Sequence, residues 1–143
     1  EVAGEPIGDL RIRESNLKGI TIGGEIIPRL IDEIPILAIA AVAAQGETII
    51  KDAQELRVKE TDRIKVMVEQ LRKMGAEVEE REDGMIIQGG KPLKGTLCHS
   101  SHDHRIAMAM AVAALIAQGE TTIEEAQYID ISFPGFAEIL GNL

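Results

Sequence analysis

An internal repeat with an offset of 73 residues constrains the fold of this 143-residue chain more than any other feature. The segment Ala43-Ala44-Gln45-Gly46-Glu47-Thr48-Ile49-Ile50 returns as Ile116-Ala117-Gln118-Gly119-Glu120-Thr121-Thr122-Ile123, and Asp52-Ala53-Gln54 returns as Glu125-Ala126-Gln127. In each copy an alanine-rich stretch ends at a glycine, which predicts a helix, a left-handed cap and then a strand. The sequence therefore predicts two related α/β units, at residues 28–90 and 96–143.

The remaining elements follow from hydrophobic periodicity and turn signals. Helices are predicted over 33–45, 62–74, 104–118 and 134–140, and strands over 47–50, 76–80, 85–88, 96–98 and 120–123. Hairpins are predicted for 10–13 with 19–22 and, through the turn Glu82-Asp83-Gly84, for 76–80 with 85–88. The buried face of the 62–74 helix is predicted to carry Ile64, Met67, Val68 and Leu71. Interleaved strands and helices indicate α/β layers, in which the two alanine-rich helices form a tightly packed central pair.

Charge and cysteine content exclude several classes of partner. The 15 basic and 24 acidic residues give a net charge of −9, which argues against nucleic acid and against anionic membranes as partners. The longest apolar run, 34–44, is too short to span a bilayer, and residues 1–6 lack the pattern of a signal peptide. The single cysteine, Cys98, excludes an internal disulfide and fits a reducing cytoplasm. The loop-like start without an initiator methionine suggests a piece of a longer protein.

Two arginines occupy the first turns of predicted helices, where a cation is disfavoured by the helix dipole. Arg63 and Arg105 therefore require a compensating anion, and their guanidinium groups can hold a carboxylate or phosphate bidentately. A bound anion is one interpretation. Pairing within the chain, Arg63 with Glu60 or Arg105 with Asp103, is the other, and the sequence leaves both open.

The sequence gives little support for a metal site, an activated cysteine or a nucleotide-binding loop. Asp32 lies near the N-cap of the 33–45 helix, and capping alone would explain it. The spacing of His99, His102 and His104 fits no zinc pattern, so no metal site is predicted. Cys98 precedes His99 in a predicted strand, where adjacent side chains face opposite ways, which argues against an activated thiol. No glycine-rich phosphate loop follows a strand, which removes the support for nucleotide binding of that kind.

Four motifs carry a resemblance to a known family: Arg57-Val58-Lys59-Glu60-Thr61-Asp62-Arg63, Asp103-His104-Arg105-Ile106-Ala107-Met108, the Asp32 helix entrance, and Ser132-Phe133-Pro134. With these the chain resembles, over 8–143, the carboxyl-terminal part of 5-enolpyruvylshikimate-3-phosphate synthases. The resemblance implies an α/β fold built from repeated βαβαββ-type units with pseudo-threefold packing. This fold is the inside-out α/β barrel domain of enolpyruvyl transferases, and the chain would form only part of it. It also implies a second, amino-terminal domain that this chain lacks.

The resemblance implies an activity and a set of site residues. Family members transfer the enolpyruvyl group of phosphoenolpyruvate to the 5-hydroxyl of shikimate 3-phosphate, through a tetrahedral adduct and without metal or organic cofactor. By resemblance Asp32 is the base on the attacking hydroxyl, and Glu60 handles the proton of the methylene carbon. The implied substrate contacts are Asp32, Glu55, Lys59, Arg63, His104 and Arg105. Arg63 and Arg105 would bind phosphoenolpyruvate.

One position departs from the family pattern, and two alternatives stay open. Many relatives have a lysine immediately before the Ser/Thr-Phe-Pro segment, but this chain has Ile131 there, so one cation for phosphoenolpyruvate is missing. The alternatives are a UDP-N-acetylglucosamine enolpyruvyl transferase, which shares the fold and the donor, and a non-catalytic α/β module that binds an anion or a protein. In the family the pocket lies between two domains, so this chain alone is predicted to turn over little or no substrate.

Overall fold

The computed structural model describes Gly4 and residues 6–142. The prediction of a loop-like amino end falls mostly on Glu1, Val2, Ala3 and Glu5, which lie outside the described residues. The α-helices are α1 Ile27–Leu30, α2 Ile34–Ala43, α3 Arg63–Lys73, α4 His104–Ile116 and α5 Phe136–Gly141. The strands are β1 Thr21–Ile22, β2 Gly46–Ile50, β3 Glu77–Arg81, β4 Gly84–Gly89, β5 Leu93–Lys94, β6 Leu97–His99, β7 Ala117–Gln118 and β8 Thr122–Glu124. Short 3-10 helices cover Gly24–Ile26, Ile31–Glu33, Gln54–Val58 and Ala126–Ile131.

The two repeats have a parallel strand pair in common. In the first unit the sheet order is β1-β2-β4-β3, with β1 parallel to β2 and the other pairs antiparallel. In the second unit β5 pairs with β7 and β6 with β8, both parallel. Strands β1 and β6 follow the two copies of a second repeated segment, Leu17-Lys18-Gly19 and Leu93-Lys94-Gly95. Its offset is 76 residues, so the search at an offset of 73 did not find it.

Glycine lets these strands approach closely in both units. A Cβ built on Gly19 would lie 2.0 Å from the carbonyl oxygen of Glu47, and one built on Gly95 would lie 2.2 Å from that of Glu120. The Gly19 N–H also donates to the Gln45 carbonyl at 2.8 Å. A side chain at either glycine would therefore clash with the neighbouring strand.

The predicted helix caps are partly wrong. Helix α2 ends at Ala43, Ala44 is extended, and only then follows Gly46 with φ +88°. The helix stops early because the Gln45 N–H already pairs with the carbonyl of Leu17, next to the isolated parallel bridge between Lys18 and Gln45. Helix α4 ends in the same way, with the left-handed Gly119 beyond an extended Ala117.

The left-handed glycine cap occurs at α3 instead. Gly75 has φ +88°, and its N–H donates to the Arg72 carbonyl at 2.9 Å. The Ala76 N–H reaches back to the Leu71 carbonyl, also at 2.9 Å. This pair of bonds is a Schellman motif, and it turns the chain directly into β3.

The predicted amino-terminal hairpin is also wrong. Residues 10–13 are not in a strand, and Leu10 and Ile12 are 92% and 90% exposed. Among the residues that the structure describes, no strand pairs with this apolar alternation. Strand β1 pairs instead with β2, a parallel neighbour that no local turn signal could reveal. The second predicted hairpin, 76–80 with 85–88, is confirmed by the β3–β4 pair.

The core lies between the sheets and the helices. Ile64, Met67, Val68 and Leu71 are buried, which confirms the predicted inner face of α3. Helices α2 and α4 contact each other, with Ala38 and Ala109 at 0% and 1% exposure, which confirms the predicted central pair. Among the described residues no helix is long and apolar enough to cross a membrane.

Candidate active site

Three helix entrances meet at the guanidinium of Arg63. This residue begins α3, and its side chain is 1% exposed. Its Nε donates to Asp103 Oδ2 at 2.7 Å, its Nη1 to Asp32 Oδ1 at 2.9 Å, and its Nη2 to Glu60 Oε2 at 2.5 Å. The three entrances therefore converge on one side chain, and of the two open alternatives for Arg63 the pairing with Glu60 is present.

Asp103 is a site residue whose contact with Arg63 the sequence analysis missed. It is the N-cap of α4, is 0% exposed, and accepts from the backbone N–H groups of Arg105 at 2.9 Å and Ile106 at 3.3 Å. A buried carboxylate is expensive unless it is paired, and Arg63 supplies the pair. The signal in the sequence was an acidic residue directly before an almost wholly apolar helix, which predicts a cap but not the arginine 40 residues away.

Arg105 extends the cluster towards solvent. Its Nη1 donates to the Asp32 carbonyl at 3.0 Å and to Glu33 Oε1 at 3.5 Å, and its Nη2 lies 3.7 Å from Asp32 Oδ2. The side chain is 30% exposed, far more than that of Arg63. The open alternative in which Arg105 pairs with the Asp103 side chain is not what the structure has: Asp103 accepts from the Arg105 backbone and not from its guanidinium.

The electrostatic surroundings keep the Asp32 carboxyl ionised. Burial by itself would raise its pKa, but the hydrogen bond from Arg63 and the charges of Arg105, Arg63 and Lys59 outweigh burial and hold the pKa below the ordinary value. The pKa of Arg63 lies above its ordinary value, since burial, which would lower it, is outweighed by the hydrogen bond and charge of Asp103 and by the charge of Glu60. At neutral pH an ionised Asp32 carboxylate therefore lies against the charged guanidinium of Arg63.

The remaining predicted residues border this cluster. Lys59 Nζ lies 2.5 Å from Glu55 Oε1, and the two side chains are 24% and 58% exposed. The charge of Lys59 reaches Asp32, since it contributes to lowering the pKa of that carboxyl. His104 is the first residue of α4, directly before Arg105.

A cleft of about 350 Å³ opens beside Asp32 and Arg105. Charged groups lie at one end and apolar groups line the rest. The lining residues are Asp32, Glu33, Pro35, Ile36, Arg105, Met108, Ala109, Val112, Phe133 and Phe136. Ile131, at the position where many relatives have lysine, is 73% exposed.

The arrangement can move protons next to a bound anion. Asp32 and Glu60 are both half-exposed, at 47%, so their carboxylates are accessible to a ligand while buried Arg63 fixes their positions. Arg105 offers a partly exposed cation within the same cluster. Acids poised beside cations are the groups that general acid–base chemistry on an anionic substrate requires. In the part of the chain that the structure describes, no group of three or more histidine, cysteine, aspartate or glutamate side chains is arranged to hold a metal.

Comparison with known proteins identifies the family. The model of the EPSP synthase (3-phosphoshikimate 1-carboxyvinyltransferase) family matches residues 1–140. A protein of Desulforamulus reducens named 3-phosphoshikimate 1-carboxyvinyltransferase is 60% identical over 96% of this chain and 32% of its own length. A protein of the same name from Synechococcus sp. strain RCC307 is 57% identical over the whole chain and 33% of its own length.

The fold agrees with a solved relative. A 2.37 Å structure of EPSP synthase from Acinetobacter baumannii matches with a TM-score of 0.84 at 46% identity, over 89% of this chain and 30% of that one. The predicted α/β fold, part of the inside-out domain, is therefore confirmed. The chain spans about a third of the length of the curated relatives it matches. On the family model, the relatives and the fold together, this chain belongs to the EPSP synthase (3-phosphoshikimate 1-carboxyvinyltransferase) family.

Proposed function

We propose that the protein of which this chain forms part transfers the enolpyruvyl group of phosphoenolpyruvate to the 5-hydroxyl of shikimate 3-phosphate and releases phosphate. The observation that carries the proposal is the pair of half-exposed carboxylates, Asp32 and Glu60, held on the buried guanidinium of Arg63. The names of the curated relatives support the reaction.

Asp32 acts on the acceptor. As the hydroxyl oxygen attacks the second carbon of phosphoenolpyruvate and the C–O bond forms, its proton passes to the Asp32 carboxylate. The depressed pKa of Asp32 ensures that the carboxyl is ionised, and thus able to accept, at neutral pH. It also makes Asp32 a weak base, so the contacts that lower the pKa must relax as the proton arrives.

Glu60 acts on the donor. In the addition step a proton goes from the carboxyl of Glu60 to the methylene carbon, which becomes the methyl group of the tetrahedral adduct. In the elimination step the C–O bond to phosphate breaks, the leaving phosphate oxygen takes the electron pair and the proton held by Asp32, and a methyl proton returns to the Glu60 carboxylate. Glu60 shares Arg63 with Asp32, so the two proton-transfer groups are held at a fixed separation before the ligands bind.

The cations neutralise the anionic ligands. Arg105 is the arginine that a ligand reaches directly, because it is 30% exposed and lines the cleft. Three N–H groups of Arg63 already have carboxylate partners, and a ligand reaches the buried remainder only after Asp32 or Glu60 moves. Lys59 adds a positive charge close to Asp32. The contact of Glu55 with the shikimate moiety, and the position of His104 at the border of the phosphoenolpyruvate site, remain predictions from the resemblance.

The proposal includes a second domain and a compartment. The residues 1–143 form the carboxyl-terminal part of one enolpyruvyl transferase domain, and an amino-terminal domain of the same enzyme completes the pocket. Support comes from the length of the relatives, about three times that of this chain. The single cysteine, buried and without a disulfide, supports a reducing cytoplasm as the site of action.

Phosphate release from phosphoenolpyruvate and shikimate 3-phosphate tests the function, with this chain alone and with an added amino-terminal domain of the D. reducens relative. Turnover is expected only in the assembled protein. Asp32→Ala and Glu60→Ala should each remove most of the rate, about a hundredfold or more. Glu79→Ala is the matched control, because Glu79 is a similarly exposed carboxylate that pairs with Arg81 on the hairpin, away from the site.

Three results would overturn the proposal. An unchanged rate in both Asp32→Ala and Glu60→Ala would remove their assignment. Turnover with a UDP-sugar acceptor and none with shikimate 3-phosphate would replace the reaction with that of the sister enzyme. Binding of neither acceptor by the assembled protein would favour the non-catalytic module.

A further inference from the structure

The segment 58–61 presents two of the residues to which the proposed reaction assigns a part. It connects the 3-10 helix Gln54–Val58 to α3 and carries Lys59 and Glu60. Glu60 reaches Arg63 at 2.5 Å, and Lys59 bonds to Glu55. A short connecting segment like this one keeps its side chains in place only if its ends are fixed to something rigid.

Arg57, at the amino-terminal edge of the segment, makes four hydrogen bonds through one guanidinium. Nε donates to the Glu82 carbonyl at 2.7 Å, and Nη2 donates to the Arg81 carbonyl at 2.6 Å. Nη1 donates to Asp62 Oδ2 and Glu80 Oε1, each at 2.9 Å. Because Asp62 is the N-cap of α3, the Arg57–Asp62 pair joins the two ends of the segment directly.

Three of the four acceptors of Arg57 lie at the end of β3 and in the turn that leads to β4, and this turn is itself fixed to the rest of the unit. A Cβ on Gly84 would lie 2.0 Å from the Ile50 carbonyl oxygen, so the turn packs against the end of β2 without room for a side chain. The Asp83 carboxylate accepts the Asp52 N–H, and the Asp83 carbonyl accepts the Ala53 N–H, both at 2.7 Å. The turn is therefore a firm support.

We propose that Arg57 is a positioning residue, a clasp that ties both ends of the segment 58–61 to the β3–β4 turn and so holds Lys59 and Glu60 where the reaction needs them. Arg57 lies in the charged motif that precedes α3, but neither the resemblance nor the cluster around Arg63 gives it a part. The catalytic consequence rests on the proposed function. The ordering of the segment does not.

Only arginine satisfies these four acceptors. Two carbonyls and two carboxylates surround the guanidinium, and its planar fork reaches them from three nitrogen atoms at once. A lysine in this place has one nitrogen and cannot reach the acceptors together. Arg57→Lys therefore preserves the charge and loses the clasp, and it separates geometry from electrostatics.

Backbone ¹⁵N relaxation of the chain tests the clasp. In the native chain the order parameters of residues 58–62 should be about 0.85, and in Arg57→Lys and Arg57→Ala they should fall below about 0.6. Arg72→Lys is the matched control: Arg72 Nε donates to the Val78 carbonyl of the same hairpin at 2.8 Å, but from the far end of α3. That variant should leave the order of 58–62 unchanged. Native-like order in both Arg57 variants would overturn the inference.

Kinetics of the assembled protein test the catalytic consequence. Arg57→Lys should lower kcat by about ten- to a hundredfold, with a smaller change in KM for both substrates, because misplaced groups act mainly on the chemical step. Arg72→Lys should retain native kcat. A mobile segment with native kcat would overturn the positioning role. An assembly of native sequence without turnover would refute the proposed function, and the order parameters would still decide whether Arg57 is a clasp.

Discussion

Replacing Arg63 by methionine should cost more stability than any other single change in the site. The substitution preserves side-chain bulk and removes the charge that three carboxylates share. Two of them, Asp32 and Glu60, are 47% exposed, and their pairs contribute about 0–1 kcal/mol each because water screens them. The third, Asp103, is 0% exposed and dominates the effect.

The size of the effect follows from the burial of Asp103. Removing one partner of a buried ion pair leaves an uncompensated charge, at a cost of about 3–5 kcal/mol. That is a large fraction of the roughly 5–15 kcal/mol by which domains are stable. The second variant, Arg63→Met with Asp103→Asn, should recover part of the loss. Asparagine is neutral and still accepts the N–H groups of Arg105 and Ile106 at the start of α4.

Urea unfolding followed by circular dichroism measures the difference, since the midpoint shifts while the slope stays the same if only stability changes. Glu60→Gln serves as the control for an exposed partner and should cost less than about 1 kcal/mol. A loss below about 1 kcal/mol in Arg63→Met would refute the argument that the buried pair dominates. So would a double variant less stable than Arg63→Met alone.

Two further predictions concern the strands and the pH dependence. Gly19→Ala should lower the free energy of unfolding by about 1–3 kcal/mol, because its Cβ would meet the Glu47 carbonyl. Gly8→Ala, with open space around it, should change this free energy by less than about 0.5 kcal/mol. Equal thermal midpoints for the two variants would contradict the prediction. The native pKa of Asp32 is depressed, so its stabilising effect should be complete above the unfolded value of about 3.9 and disappear as pH falls through the lower folded value. The stability difference between the native chain and Asp32→Asn should therefore shrink below about pH 4 in urea titrations, and growth of the difference at low pH would show the sign to be wrong.

Local patterns predicted most of the fold, and distant partners account for most of the errors. The β3–β4 hairpin and the buried face of α3 follow from short-range signals, the turn at Glu82-Asp83-Gly84 and the helical spacing of apolar residues. Strand β1 pairs in parallel with β2, whose residues lie 28 positions further along the chain, and no turn sequence between the two strands predicts such a pair. The same limitation applied to the alternating Leu10 and Ile12, which look like half of a hairpin and are exposed.

The site was predicted in outline because unfavourable charges need an explanation. An arginine at the positive end of a helix indicated an anion, and Arg63 does hold anions, but they are side chains of the chain itself. Glu60, three residues away, was a foreseeable partner. Asp32 and Asp103, at separations of 31 and 40 residues, were not, since their proximity depends on how α2, α3 and α4 pack. The carbonyl acceptors of Arg57 lay equally beyond any sequence pattern.

The contact between Arg105 and Asp32 joins residues that are 73 positions apart, which is the offset of the internal repeat. The two residues therefore occupy equivalent positions in the two copies. In an assembly of identical subunits, positions related by symmetry carry the same side chain, and where they face each other like charges would repel. Joining both copies in one polypeptide removes that restriction. Equivalent positions of the two copies can therefore carry different residues, Asp32 in the first and Arg105 in the second. Their opposite charges attract where two identical residues would repel.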